Sequence, residues 1–208
     1  MSYLTRIVPW SQKLVCEVLR HGDLAVDLTA GKGRDTHALA EAVGAQGQVV
    51  AFDLQAEALE QTSELLLAHD FTVKVWPADK AIPKKSGVFL LQACHSTLDK
   101  VLPHSAKGII ANLGYLPGGD RSLITRSTST LSALQQSLAL LAVGGRMAVV
   151  VYPSHPGGKE EGDAVDAFFW ALPGDQWQVG SFRSPNFADS PHQLVAERRL
   201  CNISFTVP

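Results

Sequence analysis

Runs of aliphatic and β-branched residues alternate with amphipathic stretches along this chain, and that alternation predicts its elements. After an opening helix over about Trp10 to Arg20, LAVDL (Leu24 to Leu28) reads as a buried strand and Arg34 to Val43 as a helix. QVVAFD (Gln48 to Asp53) is a second strand, followed by a helical stretch near Ala56 to His69. GVFLLQ (Gly87 to Gln92) and KGIIAN (Lys107 to Asn112) are further strands. Between Ser127 and Ala142, apolar residues fall at 131, 134, 138, 141 and 142, the stripe of an amphipathic helix. MAVVVY (Met147 to Tyr152) is again a buried strand, and the tail (WQVGSF, then LVAERR) reads as an antiparallel pair. One region resists assignment: FTVKVWPADKAIPKKSG holds either an extra strand at Thr72 to Trp76 or an insertion before the strand at 87 to 92.

Strands that are unbroken apolar runs, separated by helices, predict a mostly parallel sheet covered on both faces. The expected fold is therefore α/β and Rossmann-like, a doubly wound sheet ending in a C-terminal antiparallel hairpin. No internal repeat, low-complexity segment or linker interrupts the chain, so residues 1–208 are expected to form one domain.

Composition narrows the function classes. The 208 residues are 46% hydrophobic and 18% charged, with a formal net charge of -2, so an RNA contact would need a local basic patch. Three scattered cysteines (Cys16, Cys94, Cys201) suit a reducing compartment better than a disulfide framework. The start, MSYLTRIVPWSQK, lacks the apolar core of a signal peptide. The most apolar region, LALLAVGGRMAVVVY, is broken by Gly144-Gly145-Arg146 and is too short on either side to span a bilayer. The expectation is a cytoplasmic protein with no membrane partner.

VDLTAGKGRDT (Val26 to Thr36) lies between the first strand and its helix, where such sheets bind nucleotide-like ligands. Gly31 and Gly33 permit a tight turn and a close backbone approach. A dinucleotide fingerprint wants a third glycine three residues later, where this chain has Thr36. That counts against a pyrophosphate, as does Asp27, whose anion suits the ammonium of an amino-acid tail. Asp53 ends the second strand twenty positions after Gly33, where a carboxylate reaches ribose hydroxyls, and Gln55 follows. Carboxylates for ribose and ammonium with glycines between them are what S-adenosylmethionine requires; the alternative is a plain glycine turn with a helix-capping Asp.

The strand KGIIAN runs into Asn112-Leu113-Gly114-Tyr115, then Pro117-Gly118-Gly119-Asp120. In methyl transfer to an amine, a carbonyl that accepts N–H bonds aims the nitrogen lone pair, which is catalysis by positioning. An aromatic ring beside it can stack on a nucleobase. Asn112 to Tyr115 has the layout of the Asn-Pro-Pro-Tyr loop of amino-directed methyltransferases, with both prolines replaced; a strand-end turn is the plainer alternative. After MAVVVY comes PSHPGGKEEGD, placing His155, Gly157, Gly158, Lys159 and Glu160 at the same edge. His155 or Asp120 could accept the proton an amine loses, while Lys159-Glu160-Glu161 could be a solvated helix start. Cys94-His95 has no partner pair at zinc spacing and lines the adenine end of the pocket or is structural; no metal is expected.

VDLTAGKGRDT (26–36), DLQ (53–55), NLGYLPGGD (112–120) and YPSHPGG (152–158) together resemble the motifs of the bacterial rRNA methylase family of class I S-adenosylmethionine-dependent methyltransferases. The match runs from about Trp10 to Glu197. It implies a class I methyltransferase fold, S-adenosylmethionine as cofactor and, as in characterised members, the anticodon stem-loop of tRNA as substrate. The reaction implied is methylation of the side-chain amine of 5-aminomethyl(-2-thio)uridine at the wobble position. The candidate cofactor-binding set is Asp27, Thr29, Gly31, Lys32, Gly33, Arg34, Asp35, Thr36, Asp53, Gln55, Cys94, His95 and Asn112; the candidate catalytic set is Asn112, Tyr115, Asp120 and His155. Arg6, Arg20, Arg121, Arg126 and Arg183 are candidate phosphate contacts or ordinary surface charges, and a homodimer is left open. Departures are Lys32 and Arg34 for the family's Asn and His, Ala93-Cys94-His95 for its Asp-Ser-His, and a longer 70–86 segment. The rival readings are methyl transfer to rRNA, a protein amine or a small metabolite, and, in another class, an NAD-type oxidoreductase or a nucleotide-binding module.

Overall fold

The structure, a computed structural model, describes residues 7–102, 104–114, 116, 118, 124–186 and 190–199. Its strands are β1 (Leu24–Asp27), β2 (Gln48–Asp53), β3 (Val73–Val75), β4 (Gly87–Gln92), β5 (Ala106–Asn112), β6 (Leu141–Val151), β7 (Trp177–Phe182) and β8 (His192–Arg198). Its helices are α1 (Ile7–Cys16), α2 (Arg34–Val43), α3 (Ala56–Leu67), α4 (Leu98–Val101), α5 (Ser127–Leu140) and α6 (Gly158–Trp170), with a 3-10 turn at His95–Thr97. The strands form one sheet in the order β3-β4-β2-β1-β5-β6-β8-β7. All neighbours pair parallel up to β6; β8 runs antiparallel to both β6 and β7. This is the Rossmann-like architecture with a C-terminal antiparallel pair that the apolar runs predict.

Side-chain alternation explains why those runs are unbroken. Val50 and Phe52 of β2 join Val26, Phe89, Ile109 and Val149 in one core, covered by Leu134 of α5 and by Val165 and Phe169 of α6. Val49 and Ala51 join Ala25, Val88, Ile110 and Ala148 in another, covered by Val15 of α1, Leu39 of α2 and Leu66 of α3. With both faces buried, the central strands are apolar along most of their length, and polar residues fall mainly towards their ends.

Several boundaries differ from expectation. α1 begins at Ile7 because Pro9 sits in its first turn, where the missing N–H would have had no helical partner. β6 begins at Leu141, within the stretch expected to be helical, because the Gly144-Gly145 segment forms a bulge. Pairing with β5 shifts there, from Ala106–Leu141 to Gly108–Arg146. A Cβ at Gly145 would stand 2.7 Å from the Lys107 carbonyl, so only glycine fits that approach. The 70–86 region does hold a strand, β3, at the sheet edge and paired with β4 alone. Lys159 to Glu161 opens α6, but Glu161 is buried rather than solvated. No described helix is long and apolar enough to cross a membrane.

Candidate active site

A cavity of about 990 Å³ opens at the carboxyl edge of the central strands, where the loops after β1, β2, β4, β5 and β6 converge. The loop after β1 contributes Thr29, Gly31, Lys32, Arg34 and Asp35; the other loops contribute Asp53 and Gln55, Cys94 and His95, Asn112 and Gly114, and Tyr152 and His155. Ile7, Val8, Pro9 and Gln12 of α1 complete the wall. Nothing in the periodicity of α1 flags that role, because its cavity-facing residues are distant in sequence from every motif.

Backbone donors orient Asp53. Its Oδ2 accepts the Gly31 N–H at 2.9 Å and its Oδ1 the Gln55 N–H at 3.0 Å. Each oxygen keeps a second lone pair, and the carboxylate faces the cavity. The two glycines do different work. A Cβ on Gly31, at φ +53, would meet Leu116 and the Thr29 carbonyl only at ordinary contact distance, 3.8 Å. Gly33, at φ +77, lies against α3: a Cβ there would stand 2.8 Å from Thr62 Cα, and the residue is not on the cavity wall.

Asp27 and Thr36 also lie behind the wall, not on it. Asp27 is fully buried, accepting the Thr29 N–H at 3.0 Å and the Thr36 hydroxyl at 2.6 Å. Thr36, which replaces a third glycine, therefore satisfies a buried carboxyl. Burial, and then the nearby Asp35 carboxylate, push the Asp27 carboxyl up to about 7.

Of the two acids Asp27 and Asp35, Asp35 is the one on the cavity wall. Its Oδ1 accepts from Gln12 Nε2 at 2.6 Å, and its Oδ2 accepts from Asn112 Nδ2. Burial raises its pKa, opposed by those two hydrogen bonds. The Asn112 N–H donates to Thr29 Oγ1 at 2.7 Å, so main chain and side chain of Asn112 are both tied to the first loop. With Nδ2 engaged, Asn112 Oδ1 is buried without a partner among the described residues. The end of β5 thus places on the cavity wall a residue whose carbonyl oxygen is buried and unsatisfied among the described residues.

His95 shows the same pattern. Its Nδ1 lies 3.1 Å from the Leu28 carbonyl, and burial lowers its pKa, so the neutral ring with hydrogen on Nδ1 donates there. Nε2 is then a buried acceptor with no partner among the described residues. Cys94 lines the same region, its thiol accepting from the Ser96 hydroxyl at 3.1 Å.

His155 faces the start of the β5–α5 loop: a Cβ on Gly114, at φ +140, would stand 3.6 Å from His155 Nε2. Glu161 anchors the other end of that loop. Only 2% exposed, it accepts the hydroxyls of Thr125 and Thr130 at 2.6 Å each. Thr125 in turn accepts the Gly114 N–H at 2.8 Å and donates its own N–H to the Gly114 carbonyl at 2.9 Å. Tyr115, Asp120, Arg6 and Arg121 lie outside the described residues. Arg20 bonds the carbonyls of Glu17 and Leu19, Arg126 is exposed at the N-cap of α5, and Arg183 pairs with Asp166, so these three do not converge on the cavity. Among the described residues, no three of His, Cys, Asp and Glu group as metal ligands would.

This arrangement has relatives. A protein of Arabidopsis thaliana named "tRNA (mnm(5)s(2)U34)-methyltransferase, chloroplastic" is 39% identical over 188 residues, 86% of this chain. The chain spans 62% of that relative's length. A crystal structure described as a "putative rRNA-methylase" of Clostridium thermocellum superposes with a TM-score of 0.81 at 31% identity, covering 92% of this chain and 96% of the other. A Streptococcus mutans protein described as "a putative methyltransferase" in complex with SAH does so with a TM-score of 0.76 at 30% identity, covering 93% and 98%. The family model described as "Putative rRNA methylase" matches residues 49–198, and the chain belongs to that family.

Proposed function

We propose that this protein uses S-adenosylmethionine to methylate the side-chain amine of 5-aminomethyl(-2-thio)uridine at the wobble position of tRNA. The observation that carries the reading is the Asn112 amide on the cavity wall, whose donor is held by Asp35 and whose oxygen is buried and unsatisfied among the described residues. Such an oxygen accepts an N–H of an incoming amine and so aims its lone pair, a gain by orientation rather than by covalent chemistry. The name of the Arabidopsis relative and the SAH complex of the Streptococcus mutans protein support the same acceptor and cofactor.

The residues present fit the cofactor. Asp53, oriented by two backbone N–H groups, suits a ribose diol, and the unpartnered His95 Nε2 suits the amino group of a purine. Asp35, Lys32 and Arg34 lie on the wall beside Gly31, opposite charges for the two ends of an amino-acid tail. When bound, the cofactor supplies an electrophilic methyl on sulfur. Asn112 holds the amine, α1 and Leu116 keep water from the wall, and His155 takes the proton the amine loses. Tyr115, next to Gly114 in the chain, packs on the uracil ring.

Mass spectrometry of nucleosides from a strain lacking the gene tests this. The expected result is loss of 5-methylaminomethyl nucleosides with build-up of the aminomethyl precursor. Unchanged tRNA nucleosides with altered rRNA methylation would instead support the acceptor in the family's description.

A further inference from the structure

Trp10 and Phe182 are large aromatic residues left 42% and 40% exposed, yet stacked on each other with centroids 6.4 Å apart and planes 24° apart. They come from opposite ends of the chain, on α1 and at the end of β7. Neither lines the cavity, but each neighbours residues that do. Trp10 follows Pro9 and precedes Gln12, which line it. β7 runs in the direction of β6, because both are antiparallel to β8, so Phe182 ends at the sheet edge where Asn112 and Val151 end. Phe182 also pairs with Gln193, two residues beyond the wall residue Pro191. The charge nearby is positive: the Lys13 ammonium lies 5.8 Å from the Trp10 ring centroid, and Arg183 follows Phe182. Lys13 joins no ion pair among the described residues, whereas Arg183 shares Asp166 with His192.

We infer that Trp10 and Phe182 form a stacking platform for an unpaired base of the RNA substrate, flanking the one that enters the cavity, with Lys13 contacting its backbone. The inference rests on the RNA reading of the proposed function. Exposed rings bordered by cations are how proteins hold single-stranded nucleic acid: every base has a π face to stack, and the phosphate supplies the opposite charge. A net charge of -2 leaves little bulk attraction for RNA, so local contacts of this kind must provide the grip.

The test uses the full-length protein and precursor-bearing tRNA from the deletion strain. Trp10→Ala and Phe182→Ala should each raise the Kd for tRNA by anisotropy, and the KM, by about 5- to 100-fold. Affinity for S-adenosylhomocysteine by calorimetry, kcat and melting temperature should stay near wild type, and Trp10→Tyr should restore tRNA binding. Lys13→Ala should reduce the slope of log Kd against log salt by about 1. Wild-type tRNA affinity in both alanine variants overturns the platform, while loss of a wild-type dimer with unchanged tRNA affinity assigns the face to a second copy. If the wild-type protein neither binds nor methylates the tRNA, the RNA reading fails and the platform with it; if it does both and the variants match it, the platform alone fails.

Discussion

Asn112 works only in one of its two amide orientations, and Asp35 chooses it. A carboxylate can only accept, so Nδ2 turns to Asp35 and Oδ1 is left without a partner among the described residues. Asn112→Ala should therefore lower kcat by about 10²-fold, with S-adenosylhomocysteine affinity by calorimetry changing much less. The position of Asn112 was legible from its place at the end of an apolar run, but its partner was not, because Asp35 lies 77 residues away. The glycines divide in the same manner. Gly33→Ala drives a Cβ against Thr62 at φ +77 and should cost at least about 1–3 kcal/mol in urea unfolding. Gly31→Ala, whose Cβ would make only ordinary contacts, should cost about 1–2 kcal/mol from its positive φ alone. A glycine-x-glycine pattern shows two flexible positions and cannot show that one faces a helix and the other a cavity.

Among the elements, α6 contributes the least legible part of the site. Its start, Gly157-Gly158-Lys159-Glu160-Glu161, reads as polar, and two of its three charges, Lys159 and Glu160, do face solvent. Glu161 turns inward and ties Thr125 to Thr130, closing the base of the loop that begins at Gly114. Thr130→Val removes one of the two donors to a buried carboxylate and should destabilise the protein by about 1–3 kcal/mol in urea unfolding. The central strands were legible nearly to the residue: β2 and β4 begin and end where their apolar runs do. Burial on both faces forces that pattern. β3 was ambiguous because an edge strand has one neighbour and keeps Val75 71% exposed, so its composition carries little sign of the sheet.

Across the whole molecule, two buried acids set a pH dependence. The Asp27 carboxyl is raised to about 7 from an ordinary 3.8, so the folded state holds a proton that the unfolded chain has already released. That contribution to stability is fully present below about pH 4 and is lost as pH rises through about 7. Asp27→Asn keeps an acceptor for the Thr29 N–H and offers an N–H to Thr36 Oγ1, without the ionisation. Its melting temperature should pull ahead of wild type as pH rises from 4 to 7, then keep a constant lead; a gap that is flat with pH would contradict the assignment. The sequence by itself determined the doubly wound sheet, the edge at which a ligand must sit and the loops that reach it, because two-sided burial and glycine punctuation are written locally. Only the tertiary structure decided which acid faces the cavity, which way the Asn112 amide turns and that α1 closes the wall, because each is settled by contacts between segments far apart in the chain.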